Sequence, residues 1–144
     1  MPDNHTTATI AHSPKPGKKY FNVVEANQAL PYVSRVIDDI TGCYQGAVDI
    51  RRRIEQPGVD DDVEPLKDEY EAAMDRLNDL VDELQQANVE LKDFERGLVD
   101  FPAVYEGREI YLCWHRGEKT VHAWHEIEAG YAGRQDVALL DEVD

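Results

Sequence analysis

Two long stretches of this chain repeat apolar residues in alternating steps of three and four, and the period then changes to two. The first stretch carries Leu30, Val33, Ile37, Ile40, Tyr44, Ala47 and Ile54, with one interruption at Arg51. The second carries Leu66, Tyr70, Ala73, Leu77, Leu80, Leu84 and Ala87. Only a helix brings residues so spaced to one side. Asn22 stands where a cap is needed, with Glu25 three residues on, and Gln56-Pro57-Gly58 breaks the pattern. Pro31 lies inside the first repeat and predicts a kink or restart near Leu30. Pro65 suits the first position of a second helix, and Asn88 suits its left-handed end. The loop between the helices is short, so they lie antiparallel.

After Asn88 the alternation reads as three strands, 98–104, 109–115 and 120–126, joined by turns at Glu106-Gly107 and Gly117-Glu118. Two-residue turns would set Val104 opposite Glu109 and His115 opposite Thr120. One face then carries Val99, Phe101, Ala103, Ile110, Leu112, Trp114, Val121, Ala123 and His125, and packs on the helices. The other carries Asp100, Pro102, Tyr111, Cys113, His115, His122, Trp124 and Glu126. In this register Trp114 is buried and Trp124 much more exposed. The expected fold is α+β: a long antiparallel helical hairpin over 20–88, then a small three-stranded antiparallel β-unit over 89–135. A flexible tail over 1–19 and an acidic tail over 136–144 flank them.

Charge narrows the function classes. With 30 acidic and 15 basic residues the formal net charge is −15, which repels phosphates and argues against nucleic-acid or anionic-membrane binding. The acid is concentrated from Asp60 to Glu83 and reads as a solvating helix face, or as a docking face for a basic protein partner. No apolar run reaches the roughly 20 residues of a membrane span, and the N-terminus lacks a signal peptide's pattern, so the cytoplasm is the expected location. Cys43 and Cys113 form no disulfide framework.

Four constellations invite a chemical reading. Asp100, Cys113 and His122 fall in one row across the expected strands, with His115 diagonal to it. Thiolate, imidazole and carboxylate are the ligands of a divalent metal such as zinc. His125 and Glu126, with Glu95 and Arg134, are the candidates for acid–base chemistry, His125 being buried by alternation. The string from Gly130 to Arg134 suits a tight turn with Arg134 pairing to the acidic helix, or an anion cradle. Gly42 and Gly46 fall away from the apolar stripe and leave room for a close neighbour.

The string Val89-Glu90-Leu91-Lys92-Asp93-Phe94-Glu95-Arg96-Gly97-Leu98-Val99-Asp100-Phe101-Pro102 resembles a bacterial family known as DUF2203. So do Tyr111-Leu112-Cys113-Trp114, Trp124-His125-Glu126, Gly130 and Gly133-Arg134-Gln135, and the opening from Phe21 through Glu25-Ala26-Asn27 to Leu30-Pro31. The resemblance spans roughly 20–137 and implies no activity. In that pattern positions 115 and 122 are not usually histidine.

The leading expectation is a non-enzymatic oligomerising or adaptor protein that works through protein contacts, a homodimer joined through its helical hairpins. Val36, Cys43 and Ile50 widen the stripe of the first helix, and a stripe that wide cannot be buried by one hairpin alone, so either the β-unit or a second copy covers it. The alternative is a metal-binding protein or a small hydrolase-like enzyme with its site on the β-unit.

Overall fold

A computed structural model of the chain describes residues 12–140. The first helix, α1, runs unbroken from Val23 to Glu55 and continues through Pro31. Its cap is the reciprocal pair expected from the sequence. Asn22 Oδ1 accepts from the Glu25 amide at 2.7 Å, and Glu25 Oε1 accepts from the Asn22 amide at 3.0 Å. α2 runs from Val63 to Gln86 and is capped by Asp62. Pro65 therefore sits within the first turn, where a missing amide hydrogen costs no helical bond. Arg53 closes the loop on Asp61 at 2.8 Å, and the Cys43 thiol donates to the Ala73 carbonyl between the helices. The left-handed residue that ends α2 is Asn88, at φ 64°.

The sheet has five antiparallel strands, not three, in the order β1 (Glu90–Asp93), β2 (Leu98–Tyr105), β3 (Arg108–His115), β4 (Ala123–Glu126) and β5 (Gln135–Asp136). The two missed strands are the edges, four and two residues long, too short to show a period. The β2–β3 register is the expected one: Val104 faces Glu109, Pro102 faces Tyr111 and Asp100 faces Cys113.

The β3–β4 register is not. Leu112 faces Trp124 and Tyr111 faces His125, so β4 is turned over relative to the expectation. The segment from Arg116 to His122 is a folded loop, not a two-residue turn. Within it the Trp114 indole donates to the Glu118 carbonyl at 2.9 Å, and the Glu118 amide donates to the His115 carbonyl. The Asn27 side chain then binds Val121 at both its amide and its carbonyl. Val121 and Trp124, three residues apart, both enter the core, which a strand of period two cannot do. Trp124 is accordingly buried, at 5% exposure against 2% for Trp114, and the expected difference between the two tryptophans disappears.

The core lies between hairpin and sheet. Ala26, Leu30, Val33, Ile37 and Ile40 of α1 and Leu77, Leu80 and Leu84 of α2 meet Val99, Phe101, Ile110, Leu112, Trp114 and Trp124. The sheet thus covers much of the stripe. Gly97, at φ +65°, turns the chain into β2 where a Cβ would lie 2.8 Å from Ile37 Cγ2. No helix among the described residues is long and apolar enough to cross a membrane.

Residues expected to be a flexible tail are, from His12 onward, held against the sheet. The Glu109 amide donates to the His12 carbonyl. The Glu109 carboxylate accepts from Lys15, Lys18 and Tyr20 at 3.0, 3.0 and 2.6 Å. The part of that tail before His12, and the acidic end after Leu140, lie outside the described residues. Asp136, at the start of the expected C-terminal tail, belongs to β5.

Candidate metal centre on the outer face of the sheet

The face of the sheet turned away from the helices carries a buried polar cluster. The β2–β3 register sets Asp100 directly opposite Cys113. The β4 register sets His125 opposite Tyr111, on the same face and diagonal to Cys113. The three residues are 3%, 0% and 3% exposed. One ligand atom from each, a carboxylate oxygen, Sγ and a ring nitrogen, lies within 4.8 Å of the other two.

The ring of His125 is held at both ends. Nδ1 lies 2.7 Å from the Glu126 carbonyl, which can only accept, so Nδ1 carries hydrogen. Nε2 lies 3.1 Å from both oxygens of Asp100. Burial pushes the pKa of His125 down, but Asp100, then Cys113 and the Glu126 carbonyl, outweigh it and raise it to about 10. Without a metal, a proton on Nε2 faces both oxygens of Asp100.

The neighbours fix this geometry. The Tyr111 ring centre is 5.5 Å from that of His125, and its hydroxyl donates to both oxygens of Glu90, at 2.9 and 3.1 Å. Burial, and then Glu90, push the Tyr111 phenol well above its ordinary pKa. Lys92 pairs with Glu90 at 3.0 Å and lies over the Tyr111 ring. Arg134 reaches the Cys113 carbonyl at 3.3 Å and Glu118 at 2.6 Å.

The structure sorts the sequence candidates into two groups. Asp100 and Cys113 stand together, but the histidine beside them is His125. His115 and His122 turn instead to Glu118. His122 Nε2 lies 3.0 Å and His115 Nε2 3.8 Å from its carboxylate, which also accepts the His115 amide at 2.9 Å. Burial would raise the pKa of Glu118, but Arg134 and the His115 amide hold it below the usual carboxylate range.

The acid–base set does not assemble. Glu126 holds Arg108 at 2.6 Å, Glu95 is exposed in the turn after β1, and Arg134 is engaged by Glu118, not by the acidic helix. Tyr131 of the glycine-flanked turn lies between Arg96 and Arg134, 4.7 and 4.9 Å from its ring centre. Gly42 and Gly46 are exposed, with nothing within 4 Å of a Cβ at either.

What sequence reasoning missed was His125 as the partner of Asp100 and Cys113. The signal that finds it is Trp124: placing both tryptophans in the core turns β4 over and carries His125 to the polar face.

The sequence model of a family described as "Uncharacterized conserved protein (DUF2203)" matches residues 19–137, and the chain belongs to that family. No curated protein and no solved structure matches it.

Proposed function

We propose that this protein binds a transition-metal ion, of which zinc is the type, through Asp100, Cys113 and His125. The observation that carries the reading is the convergence of a carboxylate, a thiol and an imidazole, all buried, with ligand atoms within 4.8 Å of one another. Ligand bonds of about 2.0–2.1 Å around a tetrahedral zinc place nitrogen and oxygen ligands about 3.3 Å apart. The 3.1 Å between His125 Nε2 and Asp100 is close to that. The contact of Nδ1 with the Glu126 carbonyl is the outer support that orients a metal-binding histidine. Sulfur and nitrogen favour zinc or a similar ion over magnesium or calcium. A metal there takes the place of the proton on Nε2. Depth of burial fits a centre that stabilises the sheet and does not turn over a substrate.

Elemental analysis of protein purified from zinc-supplemented cells tests this, together with melting before and after chelation. About one equivalent of metal, a fall in Tm on chelation, and loss of both in Cys113→Ala are expected. Protein that carries no metal, and whose Tm does not respond to added zinc, would sink the reading.

A second reading, self-association through the hairpin, is favoured by an open cleft of about 260 Å³ lined by Tyr44, Ala47, Val48, Tyr70, Met74 and Phe94. Tyr44 and Phe94 stack at its edge with ring centres 5.4 Å apart. A homodimer would bury it. Light scattering at high micromolar concentration decides: twice the mass of the chain is expected, with reversion to one mass in Met74→Glu. The mass of a single chain for the native protein rejects it.

A further inference from the structure

A second feature, on the opposite side of β3 from the buried centre, is an open pocket of about 440 Å³ where α1 meets the loop between β3 and β4. Leu30, Pro31 and Trp114 give it an apolar lining, and Asn27, Lys119 and Thr120 are among its polar groups. Pockets of roughly 300–1,000 Å³ with an apolar lining and few polar groups are the usual seats of small molecules.

Most of the polar groups around it are already engaged. The Trp114 indole donates to the Glu118 carbonyl, the Asn27 amide binds Val23 and Val121, and the Ser34 hydroxyl donates to the Pro31 carbonyl. The Glu118 carboxylate, also at the pocket, holds Arg134 and His122.

Two groups stand out. The chain has six lysines, and five of them hold a carboxylate: Lys15 and Lys18 on Glu109, Lys19 on Glu25, Lys67 on Glu64, Lys92 on Glu90. Lys119 holds none among the described residues, in a chain with 30 acids to offer. The other group is the backbone carbonyl of Asn27. Its helical partner would be the amide of Pro31, which has no hydrogen to give.

We propose that this pocket binds a small carboxylic acid with a compact apolar body. The carboxylate pairs with Lys119, the body lies against Trp114, Leu30 and Pro31, and a donor group, where the molecule has one, meets the Asn27 carbonyl. The inference does not depend on metal binding.

The test is amide and indole NMR of the full chain titrated with benzoate and phenylacetate, and with their neutral primary amides. Saturable shifts are expected at the Trp114 indole and along the pocket lining. The acids should bind about fivefold more tightly than the amides, the upper range for an exposed ion pair. Lys119→Met should abolish that preference, bringing the acids down to the affinity of the amides. Ser34→Trp, which fills the pocket, should remove both, in a protein whose other amide shifts are retained. Equal binding of acids and amides, shifts that map away from the pocket, an acid preference that survives Lys119→Met, or no shift at millimolar ligand would each overturn the proposal.

Discussion

The buried pair of His125 and Asp100 makes a specific statement about stability and pH. The ordinary pKa of histidine is 6.5, and in the folded chain that of His125 is raised to about 10. The folded state therefore holds the proton more tightly than the unfolded one. The resulting stability is complete below about pH 6.5 and is lost as pH rises through about 10. The gap corresponds to a few kcal/mol in all, spread over the pH range between the two values. Asp100→Asn removes the anion that opposes burial, so the imidazole becomes neutral in the fold and this dependence vanishes. Removing one partner of a buried pair costs about 3–5 kcal/mol. The variant should show that loss near pH 6, and the loss should shrink toward pH 10. Urea unfolding of both proteins across this range, in the presence of a chelator so that a proton occupies Nε2, measures it. Lysines and tyrosines titrate in both proteins and cancel in the difference. A difference between the two proteins that stays constant with pH would refute the reasoning.

Four further outcomes follow from the geometry and charge of the fold. Trp114→Ala and Trp124→Ala should destabilise the fold by similar amounts, about 3–5 kcal/mol each in denaturant unfolding, because both rings are buried in one core. Gly97→Ala should cost about 2 kcal/mol or more, since its φ is +65° and its Cβ would meet Ile37 Cγ2 and Arg116 Cβ at 2.8 and 2.9 Å. Gly42→Ala and Gly46→Ala meet open space and should each stabilise by about 0.5–1 kcal/mol in the same assay. Burial would raise the pKa of Glu109, but Tyr20, Lys18 and Lys15 outweigh it and hold it at about 2. Its contribution is present above about pH 4.5 and is lost as pH falls toward 2, so acid unfolding of Glu109→Gln should lack that limb.

The hairpin was legible because its information is local. Asn22 and Glu25 cap α1, the three–four spacing sets its buried side, and Asn88 ends α2, all within a few residues of where they act. The β2–β3 register was legible for the same reason, since Glu106-Gly107 leaves one way to pair Val104 with Glu109. The turnover of β4 was not, because its cause is distant in sequence: Asn27 pins Val121 across 94 residues. Alternation carried through such a pin assigns every later side chain to the wrong face. That single slip put Trp124 outside, His125 inside, and His122 in the place that His125 takes beside Cys113. The contact of Glu109 with Lys15, Lys18 and Tyr20 was equally hidden, since a string of Pro, Gly and Lys has no period to reveal which carboxylate it will meet.

That pin also governs the order in which the chain can assemble. The bonds within each helix join residues four apart and form on the fast timescale of helices. β2 and β3 share a tight turn and need only each other. β4 has no such turn, and its register is defined only once Asn27 is fixed in a folded α1 and brought across most of the chain. Closing so long a loop costs entropy before any pairing repays it. The last strands should therefore lock after the rest, which places both the tryptophan of β4 and the histidine of the buried cluster among the final parts of the molecule to become ordered.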